Sequence, residues 1–149
     1  MTAFEQFVDF FCRPFYCFVP RDIIIQFSKF ALIGVVGFVV DFSFFHLGLD
    51  VLGFGHYYSA LFSFPFAVTA TWIGNRSFTF RGQSKHKVHQ EWARFALVCL
   101  VGLVLNRGTF MLLTATVSLV YEYPVLGLIG GTAMAMFFNF FGSKKLVFR

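Results

Sequence analysis

Two parts of the chain repeat each other. The segment FALIGVVG at 30–37 returns as FALVCLVG at 95–102, and the basic-aromatic segment at 75–81 returns in altered form at 143–149. Between these ends, each copy contains two long apolar stretches. An apolar stretch of about 20 residues can cross the hydrocarbon core of a bilayer as a helix. The repeat therefore predicts two copies of a helical hairpin in a membrane.

The composition agrees with lipid as the solvent. Hydrophobic residues make up 58% of the 149 residues and charged residues 13%, which is more apolar surface than one small soluble domain can bury. The three cysteines fit neither a disulfide framework nor a metal-ligand spacing, and His86 with His89 lacks two further ligands. Neither a metal nor another cofactor is expected. The net charge of +5 is distributed by membrane side, which favours anionic lipid over nucleic acid as the partner.

Four apolar stretches predict four transmembrane helices, at about 27–49, 56–74, 92–119 and 124–142. The sequence thus predicts an all-α membrane protein with an N-terminal segment at 1–26 and a transmembrane domain at 27–149. Within that domain, repeat one covers about 27–81 and repeat two about 92–149. Because each copy crosses the membrane twice, the two hairpins have the same orientation and are parallel repeats related by an axis along the membrane normal.

The distribution of cations sets the orientation. Eleven of the twelve Lys and Arg residues fall on one side of the predicted spans: Arg13, Arg21, Lys29, Arg76, Arg81, Lys85, Lys87, Arg94, Lys144, Lys145 and Arg149. The two opposite turns contain only the acids Asp50 and Glu122. The positive-inside rule therefore places both termini in the cytoplasm.

The N-terminal segment mixes aromatic and charged residues. Phenylalanines at positions 4, 7, 10, 11 and 15 surround Glu5, Asp9 and Arg13. This pattern predicts an amphipathic helix that lies in the cytoplasmic interface and ends near Pro14 or Pro20. The helix is interpreted either as an aromatic anchor or as a docking surface for a partner membrane enzyme.

Small residues recur at every fourth position of the second and fourth spans. They are Ser59, Ser63, Ala67, Thr71 and Asn75 in one span, and Gly127, Gly131, Ala135, Asn139 and Ser143 in the other. Such a stripe allows close helix packing in lipid. Cations follow both stripes, at Arg76 and at Lys144 and Lys145. These cations either extend to the membrane surface beside asparagines that link helix ends by hydrogen bonds, or they form a phosphate-binding mouth.

Two charged residues fall in the interior of predicted spans, away from the span ends. Asp41 shares a helix face with Gly34 and Gly37, and its counterpart in the second copy is Asn106, which precedes Arg107. An Asp or Arg at the centre of a span costs about 2.5–3.5 kcal/mol on insertion scales, so each needs a function or a partner. The two residues form either a structural ion pair or, in the interpretation we prefer, a substrate site or proton-coupled switch.

Catalytic motifs are missing from the sequence. It contains no phosphate-binding loop, no Ser-His-Asp arrangement and no acidic metal cluster of the kind that binds nucleotide sugars. An enzyme is not expected.

Several of these segments resemble the GtrA-like family of small four-span membrane proteins. The resemblance depends on the run at 27–37 with Asp41 after it, the segment NRSFTF at 75–80, Arg94-Phe95, Asn139-Phe140 and Val147-Phe148, and it covers about 27–149. It implies translocation of a polyprenyl-phosphate-linked sugar from the cytoplasmic to the outer leaflet of the bacterial inner membrane, for cell-surface polysaccharide synthesis. It also implies a membrane glycosyltransferase as partner, and the sequence is compatible with a homodimer.

The candidate residues fit such a substrate. Arg76, Lys144 and Lys145 are predicted to collect the phosphate at the cytoplasmic mouth, and Arg107 to offer a deeper phosphate site that Asp41 screens or releases. The amides of Asn75, Asn106 and Asn139 are predicted to face the sugar hydroxyls. The long apolar tail stays in lipid throughout.

Two other functions remain open at this point. A small multidrug-resistance-like exporter exchanges protons for cationic drugs and also has four spans with an acid on the first, although Arg107 would repel a cation. A noncatalytic anchor of a polyprenyl-phosphate glycosyltransferase would tolerate substitution of Asp41 and Arg107 but not of the N-terminal aromatic residues.

Overall fold

The computed structural model describes residues 3–12, 16, 19–84 and 86–148, and these form an all-helical protein. Its helices are α1 (Ala3–Cys12), α2 (Arg21–His46), α3 (His56–Gly74), α4 (Val88–Thr116), α5 (Ser118–Glu122) and α6 (Pro124–Gly142). π-Helical turns continue three of them, at Leu47–Val51, Asn75–Thr79 and Ser143–Val147. The predicted helix end at Pro14 and the cations Arg13, Lys85 and Arg149 lie outside the described residues.

The chain divides into two compact units, 1–82 with α1 to α3 and 83–149 with α4 to α6. Among the described residues, three helical segments are long and apolar enough to cross a membrane: Arg21–Val51, Val88–Thr116 and Pro124–Val147. The second predicted span forms the 19-residue helix α3, which is not one of these three segments. Its serines, threonines, tyrosines and Pro65 lower its mean hydropathy.

Two of the long helices differ in their bounds from the prediction. Helix α2 begins at Arg21, directly after Pro20, because the Pro20 carbonyl accepts the first helical N–H groups and Asp22 lies favourably in the first turn. Helix α4 ends at Thr116, where Val117 takes an extended conformation. Thr114 and Thr116 each donate a side-chain hydrogen bond to the carbonyl four residues earlier, which competes with a regular helix at this end.

Small residues bring α2 and α3 together in the first unit. A methyl group at Gly37 would collide with the Thr71 side chain, and one at Gly48 would lie 3.3 Å from the Ser59 Cα. Ser59 and Ser63 are buried. The stripe predicted on the second span therefore faces α2, as its spacing indicates.

The second unit packs α4 against α6 through the same positions of the repeat. A methyl group at Gly102 would collide with the Asn139 side chain, and one at Gly131 would lie 2.5 Å from the backbone oxygen of Asn106. Gly102 and Asn139 hold the positions of the second copy that Gly37 and Thr71 hold in the first. Equivalent residues thus make equivalent contacts inside each unit.

Each unit ends in a buried phenylalanine after a π-helical turn. The Phe80 amide donates to the Asn75 carbonyl at 2.8 Å, and the Phe148 amide to the Ser143 carbonyl at 3.0 Å. The Phe80 ring lies 6.3 Å from that of Phe30, and the Phe148 ring 6.2 Å from that of Phe95. These aromatic contacts hold the end of one long helix against the start of the other.

Helix α1 is tied to α2 by charge. The Lys29 ammonium contacts the Glu5 carboxylate at 2.5 Å, and Arg21 pairs with Asp9. The Tyr16 hydroxyl donates a hydrogen bond to Asp9 at 2.9 Å. The pKa of Tyr16 is raised, mainly by desolvation and secondly by this hydrogen bond. Val8 is buried, whereas three phenylalanine side chains of the helix are exposed: Phe7, Phe10 and Phe11. The helix thus turns its carboxylates toward α2 and an aromatic face outward.

The close approach at Gly131 predicts a stability difference between two glycines of the second unit. Gly131→Ala should lower the free energy of unfolding by about 1–3 kcal/mol, because the methyl group meets backbone that cannot move aside easily. Gly108→Ala, where no atom lies within 4 Å of the added methyl group, should leave stability unchanged or raise it. Unfolding of the purified protein in detergent or bicelles measures both, and equal effects would contradict this packing.

Candidate functional site

Asp41 lies in the interface between α2 and α3. Its carboxylate accepts a 2.7 Å hydrogen bond from the Ser63 hydroxyl, which also donates to the Ala60 carbonyl at 3.2 Å. Ser63 is 1% exposed and Asp41 is half-buried. The acid of the first apolar helix therefore faces a polar partner on the neighbouring helix, which reduces the cost of placing it there.

The equivalent region of the second unit contains amides. Asn106 donates to the Thr132 hydroxyl at 3.4 Å, a long hydrogen bond between α4 and α6. Asn139 packs against Gly102, and its buried Oδ1 has no hydrogen-bond partner among the described residues. A buried amide oxygen without a donor is costly, so this position favours a bound hydroxyl or water.

Asn75 is almost fully buried, at 1% exposure, at the start of a π-helical turn. The Thr79 hydroxyl donates to its Oδ1 at 2.9 Å. The side chain thus stabilises the turn that leads to the buried Phe80, and its oxygen is already used. Of the three asparagines predicted to face a sugar, Asn75 is the one with a clear structural partner.

Two of the predicted phosphate-binding cations lie over aromatic rings one helical turn earlier. The Arg76 guanidinium is 5.4 Å from the centre of the Trp72 ring, and the Lys144 ammonium is 5.9 Å from that of Phe140. The two pairs occupy equivalent positions of the repeat. Cation–π contact orients such side chains at about 0.5–1 kcal/mol at exposed sites. These cations therefore have a defined position at the end of each unit.

The other two predicted cations are exposed. Lys145 follows Lys144 in the last π-helical turn and lines two neighbouring grooves of the second unit. Arg107 lies on α4 directly after Asn106. Since Asp41 belongs to the first unit and Arg107 to the second, their pairing stays a prediction.

A basic groove lies at the start of α4. Its volume is about 480 Å³, and its lining consists of His86, Arg94, Lys145, Leu97, Val98 and Leu146. Arg94 donates to His86 Nε2 at 2.8 Å and to the Leu146 carbonyl at 3.2 Å. The groove combines cationic groups with an apolar wall in a single unit.

The first unit has a groove of about 340 Å³ in the equivalent region, and its charge differs. Its lining mixes acids with cations: Glu5, Asp22, Arg21, Lys29 and Arg81. Lys29, which is the repeat equivalent of Arg94, pairs with Glu5 and lies 5.0 Å from the centre of the Phe78 ring. This groove is therefore largely neutralised by the chain itself.

Three residues that were not predicted as site residues have polar contacts at the start of α4. Arg94 and His86 form the basic groove, and Glu91 is fully buried on the first turn of α4, where Ser84 donates to it. The repeat itself contained the signal for Arg94, since Lys29 and Arg94 hold the same position beside a phenylalanine. No group of three or more potential metal ligands occurs in the described ranges.

The hydrogen bond between Ser63 and Asp41 makes a testable contribution to stability. Ser63→Ala should lower the free energy of unfolding by about 0.6–1.7 kcal/mol, which lies between the mean and the maximum found for interhelical hydrogen bonds in a membrane protein. Ser43→Ala is the matched control, because the Ser43 hydroxyl bonds only to the Val39 carbonyl of its own helix. Unfolding in bicelles compares the two, and an effect of Ser63→Ala no larger than the control would exclude the interhelical bond.

Comparison with known proteins agrees with these features. No curated protein matches the chain at a significant level. A family model described as the GtrA/DPMS transmembrane domain matches residues 29–148, which includes all three apolar segments except the first residues of the first. The match spans most of the chain. Together with the three helical segments that are long and apolar enough to cross a membrane, it shows that the chain is a multi-pass membrane protein. The chain therefore belongs to the GtrA/DPMS transmembrane domain family.

Proposed function

We propose that the protein translocates a polyprenyl-phosphate-linked sugar from the cytoplasmic to the outer leaflet of the bacterial inner membrane. Family membership links the chain to polyprenyl-phosphate sugar processes. The observation that carries the further step to translocation is the placement of Asp41 and Ser63 between two helices whose outer faces are apolar. In this proposal the product serves cell-surface polysaccharide or glycan modification.

The chemistry of the substrate fits that placement. A polyprenyl phosphosugar has one anionic phosphodiester, a polar sugar and a very long apolar tail. Only the phosphate and the sugar must be kept away from hydrocarbon during passage, because their transfer into lipid without partners is unfavourable. Polar groups along an interhelical interface can serve the headgroup while the tail moves through lipid.

The residues take the following roles in this proposal. Arg76, Lys144 and Lys145 collect the phosphate at the cytoplasmic mouth, and their charges attract it from a distance. Arg107 offers a second contact within the membrane, with Asp41 as the group that screens it or releases the phosphate. Asn106 and Asn139 face the sugar, whereas Asn75 keeps its structural role in the π-helical turn. The Oδ1 of Asn139, which has no hydrogen-bond partner among the described residues, is the better placed to accept a hydrogen bond from a sugar hydroxyl.

The proposal includes a membrane arrangement. Helix α3 also crosses the membrane and brings the number of spans to four, so that the two units are parallel repeats with both termini in the cytoplasm, as the cation distribution indicates. Helix α1 lies in the cytoplasmic interface with its exposed phenylalanines toward the acyl chains. A homodimer would surround the headgroup with more helices than one chain provides. The process breaks no covalent bond, so the protein is a transporter and not an enzyme.

One observation favours a second candidate, a noncatalytic anchor for a polyprenyl-phosphate glycosyltransferase. Phe7, Phe10 and Phe11 form an exposed aromatic face on a helix whose carboxylates are already paired. Such a face suits either lipid or a partner membrane protein. In the anchor function, the aromatic face matters and the polar groups between helices do not.

The topology gives a direct prediction for α3. With the native cysteines replaced by serine, Phe54→Cys and Val88→Cys should react with membrane-impermeant thiol reagents from opposite sides, because only α3 separates the two positions. Val88→Cys should be labelled from the cytoplasm. Labelling of both positions from the same side would show that α3 does not cross.

Transport by purified protein tests the function. In liposomes, wild type should move a short-chain polyprenyl-phosphate sugar, and Arg107→Gln, Arg76→Gln and Asp41→Asn should each slow it about tenfold or more, as expected for loss of one charge-assisted contact. Lys87→Gln and Asp50→Asn remove the same charges away from the proposed path and should transport normally.

The outcomes separate the candidates. Intact transport in Arg107→Gln and Arg76→Gln, at normal expression, would rule out the proposed path. Absence of transport by well-folded wild type would favour the anchor, in which case Phe7→Ala and Phe10→Ala should reduce recovery of the glycosyltransferase with the protein. Movement of a cationic dye in place of the lipid would indicate an exporter.

A further inference from the structure

We propose that the second unit has a lipid-phosphate site of its own, formed by Arg94, His86 and Lys145, and that the isoprenoid chain lies in the apolar groove next to it. The identity of the lipid rests on the proposed function, whereas the location of the site depends on the geometry of the second unit. Neither Arg94 nor His86 belongs to the residues predicted above.

The electrostatics of the basic groove favour an anion. Arg94 is exposed, and within the described part of the chain it donates to the His86 ring and to the Leu146 carbonyl. No acid is among the described residues that line the groove, and Lys145 adds a second positive charge. A guanidinium beside an apolar wall, with no carboxylate against it, is well suited to a phosphate oxygen pair.

The first unit provides an internal comparison. Lys29 occupies the position equivalent to Arg94, and there the Glu5 carboxylate lies 2.5 Å from its ammonium. The chain thus places an anion of its own against this cation in one copy of the repeat. In the other copy the corresponding cation has no such partner among the described residues, which leaves room for an external anion.

The adjacent groove explains why the anion should belong to a lipid. An apolar groove of about 400 Å³ runs along α6 and includes Leu105, Met134, Phe137 and Phe141. It shares Lys145 and Leu146 with the basic groove. A ligand that fills both must have a negative headgroup joined to a hydrocarbon chain. An isoprenoid phosphate has this form, and inorganic phosphate would fill only the basic part.

Binding of geranylgeranyl phosphate to the full-length protein in zwitterionic nanodiscs tests the site by calorimetry. Wild type should bind about one molecule per chain, and inorganic phosphate and geranylgeraniol should each bind at least about tenfold more weakly, because each fills one groove. Arg94→Gln and Lys145→Gln should each weaken binding about tenfold. Arg81→Gln, which removes an exposed cation from the first-unit groove, should change it less than twofold.

Further variants control for folding. Arg94→Lys keeps the charge and should retain more binding than Arg94→Gln, while exposed Lys145 should tolerate Gln without loss of thermal stability. Wild-type affinity in both Arg94→Gln and Lys145→Gln, or equal weakening by Arg81→Gln, would overturn the assignment.

The same proteins in the transport assay separate this site from the proposed function. Wild type that binds the lipid phosphate but moves no phosphosugar would overturn translocation and support the site. Wild type that moves the phosphosugar, together with an Arg94→Gln variant that binds and transports normally, would overturn the site and leave translocation standing.

Discussion

Close helix packing without a hydrophobic driving force is the constraint on which this structure depends. Lipid tails are as apolar as leucine side chains, so helices associate through contact and polar bonds, not by removing apolar surface from water. In each unit a glycine of one long helix meets a residue of the next: Gly37 meets Thr71, and Gly102 meets Asn139. The same approach brings polar groups into the interface, while many large apolar side chains remain exposed on the outer faces of the helices.

The duplication accounts for the helix packing that the two units share, and the differences between the copies account for their different polar and charged groups. Asp41 in the first unit corresponds to Asn106 in the second, and Thr71 corresponds to Asn139. The Thr71 hydroxyl is satisfied by the carbonyls of its own helix, whereas the Asn139 oxygen is unpaired. At these equivalent positions the first unit has an acid and a lysine that is paired within the chain, whereas the second unit has amides and Arg94, which has no acidic hydrogen-bond partner among the described residues.

Much of this arrangement could be predicted from the sequence because it depends on periodicity. The repeat predicted equivalent helical elements, and the four-residue spacing of Ser59 and Ser63 predicted the face that packs. The π-helical turns could not be predicted in this way, and two of them lead to the buried phenylalanines Phe80 and Phe148, whose ring contacts are tertiary. The grouping of Arg94 with Lys145 also depends on tertiary contact, because Lys145 is far from Arg94 in sequence, and the position of His86 depends on the loop before α4. The pairing of Asp41 with Arg107 and the crossing by α3 stay predictions.

In the proposed transport, the headgroup passes the polar faces between the helices while the isoprenoid chain of the substrate stays in lipid. Photolabelling in proteoliposomes tests it most directly, with a short-chain polyprenyl-phosphate sugar that carries a diazirine on the sugar and adducts mapped by mass spectrometry. The account predicts adducts near Ser63 on α3 and Thr132 on α6, reduced by excess unlabelled phosphosugar. Adducts confined to the loops, or equal labelling by the same sugar on a polyprenol without phosphate, would contradict it.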